Sequence, residues 1–205
     1  MEDKSNIEIL EEFARSTNRD IAHKEIPYPL TGIHTFRKYK KYIFIPYSNS
    51  EKSNYFIWYS NPYASVGDYT VFSGAFIPIS SRVKSSLNIR SKTILDKVNI
   101  FSKKKANRVG NDNFDSKVVI TGEIDSAARR LLSQSKIQSQ LLKALEIANF
   151  MTISINEYNI DFVPELKDKS YLSIINPQSW DLEKDTIEEI FRLMERIRNI
   201  INYSD

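Results

Sequence analysis

The chain has 205 residues, 41% of them hydrophobic and 27% charged, with a formal net charge of +3; this excludes a disordered chain and allows one large domain or two small ones. Cysteine is absent, so disulfides, thiolate metal sites and cysteine nucleophiles are excluded. So small a net charge does not by itself imply a nucleic-acid or membrane partner.

The first residues, Met1-Glu2-Asp3-Lys4, are acidic and polar, and no run approaches the ~18 apolar residues that cross a bilayer. The sequence therefore predicts a cytoplasmic protein, with peripheral attachment to a membrane as the variant.

In chain order, Ser5 and Glu8 form a capping box ahead of Ile7, Leu10, Phe13 and Ala14, which share one face of a first helix. Ile26-Pro27-Tyr28-Pro29 is extended or turning, because proline disfavours a helical residue before it. From Gly32 to Ile89 the pattern is β. Tyr39–Ile45 and Asn54–Tyr59 form an aromatic-rich hairpin across the polar loop Ser48–Ser53. Strands are expected at Tyr69–Phe72 and Ala75–Ile79 with Ser73-Gly74 as a turn, and a further one around Val83, Leu87 and Ile89. Ile94, Leu95, Val98 and Phe101 have helical spacing in a segment of basic residues, so a short basic amphipathic helix is expected.

A C-terminal module follows. Lys117–Thr121 is a strand ended by Gly122, and Asp125 is the expected N-cap of a helix carrying Ala128, Leu131 and Leu132. A second helix from Ser135 carries Ile137, Leu141, Leu142 and Leu145. Met151–Ile155 and Asn159–Val163 alternate about Asn156-Glu157-Tyr158 as a hairpin. The closing helix carries Ile187, Ile190, Phe191, Met194, Ile197 and Ile201, with Asp185 and Glu188 as a capping pair. The fold class is α+β: an N-terminal helix with an antiparallel aromatic-rich β region, then a strand–helix–helix–hairpin–helix module. The organisation is a helix and β-rich half over 1–101, a basic loop or boundary over 102–113, and an α+β module over 114–205, or one continuous domain.

Gly110, Phe114-Asp115, Val119-Ile120-Thr121-Gly122, Ala128-Arg129, Leu131-Leu132 and Leu141-Leu142 together resemble a pattern in a prokaryotic protein family of unknown function. The resemblance covers about a third of the chain, as judged from these motifs. It implies no activity, cofactor or site residue; members of that family are often membrane-associated.

The candidate sites are few. His23 and His34 are the two histidines, and neither stands in a metal or nucleophile pattern. Asp115-x-Lys117 and Glu165-x-Lys167 have the acid-x-Lys form of a Mg²⁺-dependent nuclease, which needs two acids for the metal and a lysine to orient water. Asn111, Asn113 and Asp115 alternate like the start of a calcium loop but lack its glycine and closing Glu. Two basic clusters remain. Arg37-Lys38-Tyr39-Lys40-Lys41-Tyr42 interleaves cations with aromatics, as single-strand binders do, or as a solvent-facing strand does. Lys103, Lys104, Lys105 and Arg108 form the other and would attract an anionic surface. The reading that results is a non-catalytic binding or scaffold module without a cofactor. It would contact another protein, an anionic membrane surface or nucleic acid, and the nuclease is the alternative.

Overall fold

The computed structural model describes residues 5–28, 39–50, 54–61, 71–98, 107–177 and 183–202. The chain begins with helix α1 (Asn6–Ser16), where the Ser5 hydroxyl accepts the Glu8 N–H and the Glu8 carboxylate accepts the Ser5 N–H. Leu10, Phe13 and Ala14 form its buried stripe.

Strands β1 (Ala22–Pro27), β2 (Tyr39–Pro46), β3 (Tyr55–Ser60), β4 (Val71–Pro78) and β5 (Leu87–Ser91) follow, then the short helices α2 (Ile94–Val98) and α3 (Asp112–Lys117). Next come β6 (Val118–Gly122), α4 (Ser126–Leu132), α5 (Ser135–Ala144), β7 (Thr152–Ile155), β8 (Tyr171–Asn176) and α6 (Lys184–Asn202). The eight strands form one sheet in the order β1-β2-β3-β4-β8-β7-β5-β6, with every pairing antiparallel. This is an α+β fold. Strands from before and after residues 102–113 interleave in it, since β4 pairs with β8 and β5 lies between β7 and β6.

The strand period of two gives the sheet two different faces. On one face Ile43, Ile45, Phe56 and Trp58 pack against Leu10 and Phe13 of α1 and Ile187 and Phe191 of α6. Further along, Ile77, Ile89, Ile120, Ile153 and Ile174 pack against Leu132, Leu141 and Met194 of α4, α5 and α6. The other face presents Tyr55, Ile57, Phe72, Phe76 and Ile175, covered by Tyr158, Ile160, Val163 and Leu166 of the β7–β8 connection.

That connection corrects the expected hairpin. The second arm paired with β7 is Tyr171–Asn176, not Asn159–Val163. Asn156, at a left-handed φ of 51°, turns the chain out of the sheet. Its side chain donates to the Val83 and Ser85 carbonyls and accepts the Tyr171 N–H, so departure and return are held at one point. The alternation in 159–163 comes from Ile160 and Val163 covering the aromatic face while Asn159 and Asp161 stay exposed.

Three other expectations change. Ser73-Gly74 is the middle of β4, not a turn. β8 runs so close there that a Cβ on Gly74 would lie 2.1 Å from the Ile174 carbonyl oxygen. The segment holding His23, for which no element was expected, is an edge strand, β1. Glu188 does not cap α6, which starts at Lys184; it pairs instead with Arg19. Tyr69 lies outside the described residues.

Candidate functional site

The β2 cluster is divided by the strand's own geometry. Tyr39 and Lys41 share the side of Ile43 and Ile45, whereas Lys40 and Tyr42 lie on the side of Phe44. Each of the four is engaged. Lys41 Nζ is 2.9 Å from Glu25 Oε1 and 5.7 Å from the Tyr39 ring centroid. Lys40 Nζ sits 5.5 Å over the Tyr59 ring. Tyr42 stacks on Phe162 at 4.4 Å, and Tyr59 stacks on Phe72 at 5.0 Å and on Phe162 at 5.8 Å. These rings are stacked on one another, whereas a base-stacking platform needs open ring faces. Arg37 and Lys38 lie outside the described residues, as does His34.

The acid-x-Lys residues are not brought together. Asp115 lies in α3, beside β6 at one edge of the sheet, while Glu165 lies against Tyr55 of β3. β3 and β6 are five strand steps apart, about 24 Å at the usual spacing. Lys117 and Lys167 are exposed. Among the described residues no group of three or more His, Asp or Glu could hold a metal ion. On the outer strand, His23 Nε2 lies 3.3 Å from Oε1 of Glu11 in α1.

Asp115 has a folding role. Its buried carboxylate accepts the N–H groups of Val109 at 3.1 Å, Gly110 at 3.0 Å and Asn111 at 3.2 Å. The Asn111 side chain caps α3 through the N–H groups of Asn113 and Phe114, and it also donates to Gln138, which donates in turn to the Leu132 carbonyl. The apparent calcium-loop spacing is thus the start of a capped helix. Phe114 beside it is buried in the main core.

Asp125 performs the corresponding task for α4, capping Ala128 N–H while accepting those of Lys84 and Ser85. Burial opposes its charge, yet the Ala128, Lys84 and Ser85 hydrogen bonds outweigh burial and hold its pKa below the ordinary value.

The remaining region is α2 and its surroundings. Arg90 of β5 makes a two-pronged ion pair with Asp96, at 2.6 and 2.7 Å. Asp96 also accepts the Thr93 N–H and hydroxyl, and the Thr93 oxygen accepts the Asp96 N–H, so α2 is capped and tied to the sheet. The Arg90 hydrogen bond, followed by those from Thr93, holds the Asp96 carboxyl well below the carboxylate range. On this fixed base Ile94 and Leu95 are each 79% exposed. Next to them an open depression of about 460 Å³ is lined by Lys92, Asp96, Arg108, Asp112, Asp115 and Ser116. Lys92 Nζ donates to the Asp115 carbonyl at 2.7 Å, and Arg108 is exposed. Lys103, Lys104 and Lys105 lie outside the described residues. Spacing flagged this segment as an amphipathic helix; what spacing could not supply was that Ile94 and Leu95 point away from the core.

No helix among the described residues is long and apolar enough to cross a membrane. No family model, no curated protein and no solved structure matches this chain.

Proposed function

We propose that the protein is a non-catalytic binding module that uses the α2 end of the molecule to contact an anionic partner. The observation that carries this reading is charge. From Arg90 to Arg108 the sequence has seven cations and one acid, Asp96, and that acid is already neutralised by Arg90. Removing the pair leaves six cations and no acid in the segment (seven minus one, and one minus one). The neighbouring Asp115 carboxylate is occupied by three backbone donors, and Asp112 is the remaining acid among the described residues that line the depression.

The β2 cluster supports the reading less, because Lys40 and Lys41 are engaged with Tyr59, Tyr39 and Glu25. A cytoplasmic setting belongs to the same proposal, since the chain has no cysteine and so needs no disulfide.

The test is a salt titration of association with anionic vesicles and with duplex and single-stranded nucleic acid. Binding should weaken steadily as salt rises. Replacing Lys103, Lys104 and Lys105 together with Gln should weaken it by about fivefold per lysine. Absence of salt-sensitive binding to every anionic probe would sink the proposal.

A further inference from the structure

Resting on that reading, we infer that the anionic partner is a lipid bilayer and that α2 docks on it by inserting Ile94 and Leu95 among the headgroups. Among the described residues these two are the most exposed large hydrophobic side chains, and they are adjacent. Their exposure is not the fraying of a loose helix. The Thr93–Asp96 capping box and the Arg90–Asp96 pair hold the first turn of α2 on β5. An aliphatic pair carried on a fixed base is a feature that water penalises and that a non-polar phase rewards.

The surroundings choose the phase. Two side chains fall far short of the roughly 800 Å² per partner that a specific protein interface buries. Nucleic acid would use the cations, but single strands stack chiefly on aromatic rings, and no aromatic residue is among the described residues that line the depression. An anionic bilayer uses both, taking a shallow apolar insertion while its surface charge attracts nearby cations. Lys92 and Arg108 line the depression next to α2, and the sequence from Lys97 to Arg108 contains five cations and no acid. Neither the apolar pair nor the charge suffices by itself for stable attachment, and docking of this kind generally combines two weak signals.

The experiment uses the full chain with vesicles of phosphatidylcholine alone or mixed with phosphatidylserine. The wild type should sediment with the mixed vesicles and not with the neutral ones. The double variant Ile94→Ser, Leu95→Ser should keep its thermal unfolding midpoint and lose about tenfold or more in partitioning, with its salt dependence unchanged. A second variant, Leu95→Trp, should shift its emission to the blue on the mixed vesicles and be quenched by brominated lipid. Salt-sensitive vesicle binding that ignores the serine variant, with the new Trp still in water, overturns insertion and leaves the electrostatic reading standing. Binding to nucleic acid without binding to vesicles overturns the bilayer and likewise spares that reading. Binding to none of the probes overturns both.

Discussion

Arg19 and Glu188, 169 residues apart in the chain, form a two-pronged ion pair that fastens the end of α1 to the first turns of α6. The Arg19 side chain is only 10% exposed and Glu188 21%. The guanidinium lies 5.0 to 5.5 Å over the rings of Phe13, Tyr47 and Phe191, and its Nε donates to the Tyr47 carbonyl. One arginine thus joins α1, the end of β2 and α6 around a small aromatic core.

Glu188→Ala leaves that buried guanidinium without its counter-charge, so the variant should lose about 3 kcal/mol of stability. Replacing Arg19 and Glu188 together with Met and Leu should cost less than the single change, because no unpaired charge remains. Urea unfolding of the two variants checks this; equal losses would mean that the pair's geometry, not the orphaned charge, is what matters.

Asp115→Asn tests whether the Phe-Asp motif is built for folding. An amide cannot accept all three N–H groups of Val109, Gly110 and Asn111. The expected cost is about 2 kcal/mol, with faster hydrogen exchange at those three amides. Unchanged stability would remove the folding account of this residue.

Much of this was legible where the determining interaction is local. Ser5 with Glu8 and Asp125 with Ala128 cap the helices that their sequence spacing predicts. The aromatic hairpin of β2 and β3 pairs as expected, with Tyr42 opposite Tyr59 and Phe44 opposite Ile57. Local pattern misleads where a distant segment decides. Gly74 has the look of a turn residue until β8 is laid beside it. Ile160 and Val163 have the alternation of a strand, but the surface they bury is that of β3 and β4, brought there by the fold. Within the β2 cluster, period two alone assigns Lys40 and Lys41 to opposite faces. The orientation of α2 depends on Arg90 reaching Asp96, which spacing does not encode.

Gly74→Ala follows from the same close approach. The added methyl would meet the Ile174 carbonyl oxygen at 2.1 Å and the Ile175 Cα at 2.6 Å, both backbone atoms. The β4–β8 seam joins the two parts of the sheet, so the variant should lose about 3 kcal/mol or more. Thermal unfolding measures it, and a variant as stable as the wild type would mean that the strands separate without penalty.

The attachment of α2 should be insensitive to mild acid. Asp96 is held below the carboxylate range by Arg90 and then Thr93, so its pairing contributes stability that is present above the unfolded value of 3.8 and lost only as pH falls through the lower folded value. The Asp96 carboxyl resonance should therefore not titrate near pH ~4, where an ordinary aspartate does. A midpoint there would mean that the Arg90 tether is not formed in solution.

Tyr55 gives the opposite sign at the alkaline end. Burial, then the charge of Glu165, then the hydrogen bond to it, all raise the phenol above its ordinary value. A raised folded pKa means that the folded protein holds this proton more tightly than the unfolded chain does. The contribution to stability is thus fully present below the unfolded value of 10.0 and disappears as pH rises through the folded one. Phenolate absorbance should show Tyr55 still protonated in the folded protein where exposed tyrosines have ionised. Glu165→Gln removes the charge and should bring the Tyr55 titration down toward the ordinary value without abolishing the shift, because burial remains its largest cause. If the variant titrated as the wild type does, Glu165 would have no electrostatic hold on Tyr55, and burial alone would account for the shift.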